Sequence, residues 1–180
     1  MGTKPSGPAT EPDWMSDFTY LQPDFANMNA DHPLLEPDDV LIDLHVTTRH
    51  ALLEEIARHM ARRHCLPRDR IAESLAAREQ LGSTGLGYCV AIPHARMAEA
   101  KRPVAVFARP QIPLAFDAPD SKPVSDFLAL IVPSDSPQQH LELLSSIATH
   151  FGERSFRESL RSAADAASVA RCFAPIRVHD

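Results

Sequence analysis

The sequence predicts an α/β layered domain carried behind a flexible N-terminal extension. Two unbroken apolar runs, Val104-Ala105-Val106-Phe107-Ala108 and Phe127-Leu128-Ala129-Leu130-Ile131-Val132, lack the alternation of a half-wet strand. Such runs suit central strands covered on both faces. Around them lie segments whose apolar residues recur every three or four positions, the pattern of amphipathic helices. Strands interleaved with helices define the layered class. By contrast, six of the sixteen prolines stand at Pro5, Pro8, Pro12, Pro23, Pro33 and Pro37, among hydrophobic residues without period. Residues 1–33 are therefore expected to be disordered or flexible, with loose packing up to about Asp38. Residues 34–176 are expected to form one folded domain.

The elements follow in order. Val40-Leu41-Ile42-Asp43-Leu44 reads as a strand. Thr47 or Thr48 can cap the next helix, in which Leu52, Leu53, Ile56 and Met60 form the apolar stripe. Pro67 opens a second helix that runs through Ile71 and Leu75 to about Arg78. A Gly-rich turn and a short strand, Val90-Ala91-Ile92-Pro93, come next. After the two apolar runs, Ser136-Pro137-Gln138-Gln139 is a strong helix start, with Ser136 as cap and Pro137 at the first helical position. Leu141, Leu144, Ile147, Ala148 and Phe151 are expected on its inner face. Two short helices, near 156–160 and 164–173, complete the chain.

Composition narrows the function classes. The chain is 44% hydrophobic and 23% charged, in the ordinary range of globular proteins. Its net charge is −6, and no Lys/Arg cluster exceeds Arg62-Arg63, which argues against nucleic-acid binding. No run approaches the length of a membrane span, and the start lacks a signal-peptide core. Cys65, Cys89 and Cys172 are odd in number and widely spaced. A reducing, cytoplasmic location with free thiols is the expectation. His59, His64 and Cys65 have no spacing that fits a known metal site, so neither metal nor cofactor is expected.

The densest unusual run is Arg78-Glu79-Gln80-Leu81-Gly82-Ser83-Thr84-Gly85-Leu86-Gly87-Tyr88-Cys89-Val90-Ala91-Ile92-Pro93-His94. A Gly-rich turn permits close backbone approach and can offer N–H groups to an anion. Ser83, Thr84 and the backbone at Gly85 are candidate phosphate contacts, and Arg78 could grip phosphate bidentately. His94 is expected at the end of a strand, where ligand sites of open sheets lie. The glycine spacing fits neither a P-loop, a dinucleotide fingerprint nor a nucleophile elbow.

The segment Leu81-Gly82-Ser83-Thr84-Gly85-Leu86-Gly87 leading to Val90-Ala91-Ile92-Pro93-His94 closely resembles the active-site signature of enzyme IIA of the bacterial phosphotransferase system. The likeness is to the fructose/mannitol type, and within it to the nitrogen-related branch. Phe116-Asp117-Ala118-Pro119-Asp120, Leu130-Ile131-Val132-Pro133 and His140-Leu141-Glu142-Leu143-Leu144 fall in family order. The resemblance implies a mixed central β-sheet with helices on both faces. It implies that His94 carries a phosphoryl group on Nε2, with His140 as the second active-site histidine and Arg78 as the arginine beside the phosphate. It also implies a cytoplasmic phosphocarrier, fed by an HPr-type protein and acting mainly as a regulator. Potassium transport and sensor kinases are examples of regulated targets.

Plainer readings stand beside these. Arg78 closes an amphipathic helix, where a cation suits the dipole. Ser83 and Thr84 can simply satisfy the turn backbone. The family usually has glycine where this chain has Cys89, Ala95 and Ser121, positions that can require positive φ or close approach. The Cys89 and Ala95 exchanges feed a rival expectation, a binding regulator that keeps the fold without phosphotransfer. A sugar-specific transport component with a separate permease is the third.

Overall fold

The computed structural model describes residues 32–135 and 137–178. Within the domain, β1 (His32–Pro33) and a 3-10 turn lead to β2 (Val40–Leu44), then α1 (Arg49–His64) and α2 (Arg68–Gln80). Four strands follow: β3 (Gly85–Gly87), β4 (Val90–Ala91), β5 (His94–Met97) and β6 (Val104–Pro110). Then come β7 (Asp126–Pro133), α3 (Pro137–Gly152), α4 (Arg154–Ser162), α5 (Ala166–Cys172) and β8 (Arg177–Val178).

The central sheet is mixed, in the order β2-β6-β7-β4-β3, with β5 also on β7. β6 and β7 are antiparallel, whereas β2 runs parallel to β6, and β4 and β5 run parallel to β7. The unbroken apolar runs are β6 and β7, and their side chains divide by parity. Val104, Val106, Ala108, Phe127, Ala129 and Ile131 join Leu52, Ile56, Met60, Ile71 and Leu75 of α1 and α2 in one core layer. Ala105, Phe107, Leu128, Leu130 and Val132 join Ile147, Phe151, Leu160 and Val169 of α3, α4 and α5 in the other. Both faces are therefore covered, which is why neither strand alternates.

Local signals set the helix starts. Thr48 Oγ1 accepts from the Ala51 N–H at 3.1 Å and caps α1. Pro67 immediately precedes α2, and Pro137 is the first residue of α3. The expected cap Ser136 lies outside the described residues, as does the expected flexible extension up to residue 31.

Three expectations need correction. Residues 32–37 are not loosely packed: β1 pairs antiparallel with β8, and Leu34 and Leu35 are buried beside Ile176 and Val178. Leu141 does not join the inner face of α3 but is 62% exposed. The buried residues are Leu143, Ile147 and Phe151, whose spacing turns Leu141 outward. Finally, His94 does not end a strand. It opens β5, and β4 and β5 follow β7 in one register, from Val90 opposite Asp126 to His94 opposite Leu130. Pro93 interrupts the ladder because it has no N–H, though its carbonyl still accepts from Leu130 N at 2.8 Å.

An arginine that sequence reasoning passed over ties the layers together. Arg109 Nε donates to Asp126 at 2.6 Å, while its terminal nitrogens donate to the carbonyls of Ala163 and Leu160 at 3.0 and 2.9 Å. It thus neutralises a buried carboxylate and satisfies the carbonyl end of α4.

Candidate functional site

Three elements bring the three leading residues together. Parity along β4 and β5 puts Val90 and Ile92 in the core beneath α3, while Ala91, Ala95 and Met97 enter the opposite layer. His94 and Arg96 continue the first face past the core, into the open. α2 brings Arg78 from one side and α3 brings His140 from the other. All four line a recess of about 690 Å³. Arg96 was not singled out in the sequence, although its place two residues after His94 on a strand was the available signal.

The geometry defines the state of His94. Its Nδ1 lies 2.8 Å from the Ile92 carbonyl. A carbonyl only accepts, so Nδ1 carries the proton and Nε2 keeps its lone pair. Arg78 Nε donates to that Nε2 at 3.2 Å, and Arg78 is held by a second bond from Nη1 to the Gly82 carbonyl at 3.0 Å. The His140 ring sits edge-on to His94, with centroids 5.5 Å apart. His140 Nε2 is buried and has no hydrogen-bond partner among the described residues.

Electrostatics favour neutral imidazoles. Burial pulls His94 below the ordinary histidine value, and the Arg78 charge adds to this, against the Ile92 carbonyl and Glu79. His140 is also lowered, first by burial and then by His94, Arg96 and Arg78. The recess therefore holds two rings biased toward the neutral form beside two guanidinium groups. It offers a nucleophilic nitrogen, a second ring nitrogen and fixed positive charge, which suits attack on an electrophile bearing negative oxygens.

The hydroxyls of the Gly-rich turn are not brought into this recess. Ser83 Oγ donates to the Phe116 carbonyl at 2.5 Å and accepts from Gly85 N. Thr84 Oγ1 donates to Glu79 at 2.5 Å, and Thr84 N donates to the same carboxylate. Gly85 packs against Ala118, where an added Cβ would come within 2.9 Å. These residues shape the turn, and the buried Glu79 is its hub. Glu79 falls four residues after Leu75 and eight after Ile71, so the helical period had already placed it inward.

The three departures from glycine separate. Ala95 buries its methyl among the α1 and α2 core residues. Cys89 and Ser121 have φ of 66° and 56°, so both occupy left-handed backbone that glycine adopts more cheaply. Cys89 lies not on the strand but with Tyr88 (φ 55°) at the tip of the β3–β4 hairpin. Two positive φ angles in a two-residue loop match the twist of the flanking strands.

Residues 33–174 match the family model "Phosphoenolpyruvate-dependent sugar phosphotransferase system, EIIA 2", and the chain belongs to that family. Among its relatives is the nitrogen regulatory protein of Pseudomonas aeruginosa, 37% identical over 139 residues, covering 76% of this chain and 89% of the relative. The crystal structure of nitrogen regulatory protein IIA-Ntr from Neisseria meningitidis superposes with a TM-score of 0.74 at 41% identity, covering 78% of this chain and 96% of that one. IIA mannitol from Escherichia coli, at 17% identity and a TM-score of 0.64 over 78% and 99% of the two chains, shares the fold. Among the described residues, no helix is long and apolar enough to cross a membrane.

Proposed function

We propose that this protein is a phosphocarrier of the phosphotransferase system that accepts a phosphoryl group on His94 Nε2 and acts mainly as a regulator. The observation that carries this reading is the unprotonated Nε2, set by the Ile92 carbonyl and flanked by Arg78 and His140. The donor is an HPr-type protein carrying a phosphohistidine. Nε2 attacks the phosphorus in line, the P–N bond of the donor breaks, and the electron pair returns to the donor imidazole. Arg78 gives up the lone pair to the incoming phosphorus and follows the equatorial oxygens. His140 Nε2 gains its missing partner from the same oxygens. Leu81 and Leu141, 86% and 62% exposed, rim the recess and suit an apolar patch on a protein donor. Ser83, Thr84 and Gly85 serve by holding the turn that fixes Arg78, through the Gly82 carbonyl, rather than by touching phosphate.

The regulatory role rests on the nitrogen regulatory proteins among the relatives. The protein would work in the cytoplasm, and its targets would be proteins that distinguish the two states of His94, such as potassium transporters or sensor kinases. The test is transfer from phosphoenolpyruvate through purified enzyme I and HPr homologues, read by intact mass. Wild type should gain one acid-labile, alkali-stable phosphoryl group and His94→Ala none. Equal labelling of the two would refute the assignment. No labelling of wild type would favour the binding-regulator reading.

A further inference from the structure

A second recess, sharing no lining residue with the one at His94, lies between the β3–β4 hairpin tip and α4. It holds about 280 Å³ and is walled by Tyr88, Cys89, Lys122 and the α4 residues Arg154, Arg157, Glu158 and Arg161. Four cations thus meet one carboxylate in a chain whose net charge is −6. Glu158 is committed to Arg154, whose Nε reaches it at 2.7 Å. Asp120, the next acid in this region, is taken up by the N–H groups of Tyr88 and Lys122 at 2.9 and 3.2 Å. Asp120 keeps its charge outside the lining, and among the lining residues the positive charge is only partly answered.

One arginine of the wall is firmly held. Arg157 Nη1 donates to the Phe151 and Gly152 carbonyls at 2.6 and 2.7 Å. Its guanidinium also stacks over the Tyr88 ring, 4.2 Å from the centroid. A guanidinium pinned on both sides is pre-organised for an anion.

We propose that this recess binds a condensed phosphate, a diphosphate group either free or carried on a nucleoside. Arginine forks match phosphate oxygens. Two linked phosphates carry about three negative charges, which match the lining cations left once Glu158 has offset one of them. A single carboxylate or chloride leaves most of that positive charge unanswered. Binding here is independent of whether His94 carries phosphate.

Cys89 supplies the assay, since it lines the recess while the exposed Cys65 does not. The full-length protein is alkylated with iodoacetamide in inorganic pyrophosphate, adenosine diphosphate, citrate, a glutamate-rich peptide, or sodium chloride at matched ionic strength. Modification of each cysteine is read by peptide mass spectrometry. Pyrophosphate at millimolar concentration should slow alkylation of Cys89 and spare Cys65. Equal effects of pyrophosphate and the nucleotide assign the site to the diphosphate alone, and a stronger nucleotide effect adds the base to the ligand. In Arg161→Ala, pyrophosphate should bind about tenfold more weakly, as expected for loss of one charge-assisted contact. Lys122→Ala serves if that variant does not fold. The proposal is overturned by absent protection, by equal protection from citrate or chloride, by unchanged affinity in the folded variant, or by protection from the acidic peptide alone.

Discussion

Thr84→Val separates a structural from a catalytic role for the signature hydroxyl. Valine keeps the shape of threonine and removes only the hydroxyl, so no cavity forms. What is lost is the 2.5 Å bond to Glu79, whose carboxylate is itself buried. The Thr84 N–H remains at 3.2 Å, so the charge keeps one good donor. Loss of a hydrogen bond to a buried charge costs about 1.5–3 kcal/mol. At about 2–4 °C per kcal/mol for a domain of this size, the melting temperature should fall by about 3–12 °C. Calorimetry measures that fall, and single-turnover transfer to the folded fraction measures the chemistry. Transfer should stay within a few-fold of wild type, and Thr84→Ser should restore the stability. An unchanged melting temperature with a loss of about hundredfold or more in rate, the cost of removing a donor to a developing charge, would refute the structural assignment.

Three further outcomes follow from the same geometry. Because burial and Arg78 lower the His94 pKa, Nε2 stays unprotonated on the acid side, so the acid limb of the transfer-rate profile should have its midpoint below the ordinary value of about 6.5; a midpoint at or above it, after correction for the donor, contradicts this. Cys89→Gly should change stability by no more than about 1 kcal/mol, since relief of left-handed strain is offset by glycine's unfolded-state entropy, and chemical denaturation decides it. Arg109→Leu should lower stability by about 3–5 kcal/mol, the cost of stranding the buried Asp126 without its partner, as read from denaturant midpoints.

The layers were legible because their signals are local. Thr48, Pro67 and Pro137 mark helix starts through capping and backbone geometry, and the runs in β6 and β7 declare themselves by lacking alternation. The recess was legible only in part. Nothing in spacing brings His140 to His94, 46 positions earlier; only the family resemblance joined them. Ser83 and Thr84 were offered to phosphate because hydroxyls in a Gly-rich turn look free; Glu79, five residues before Thr84, was a local signal, whereas the Phe116 carbonyl reaches Ser83 only through long-range packing. Arg109 illustrates the same limit. Ala108 is opposite Phe127 in the antiparallel ladder, so Arg109 stands opposite Asp126, but the pair exists only once register is known.

The pairing of β1 with β8 has a mechanical consequence. His32 lies opposite Val178 and Pro33 opposite Arg177, so the chain enters and leaves at the same end of a two-residue ladder. Tension between whatever is joined before residue 32 and after residue 178 would peel that ladder one bond at a time rather than shear the central sheet. That ladder is loaded first, and the strand that holds His94 feels the force only after it has opened.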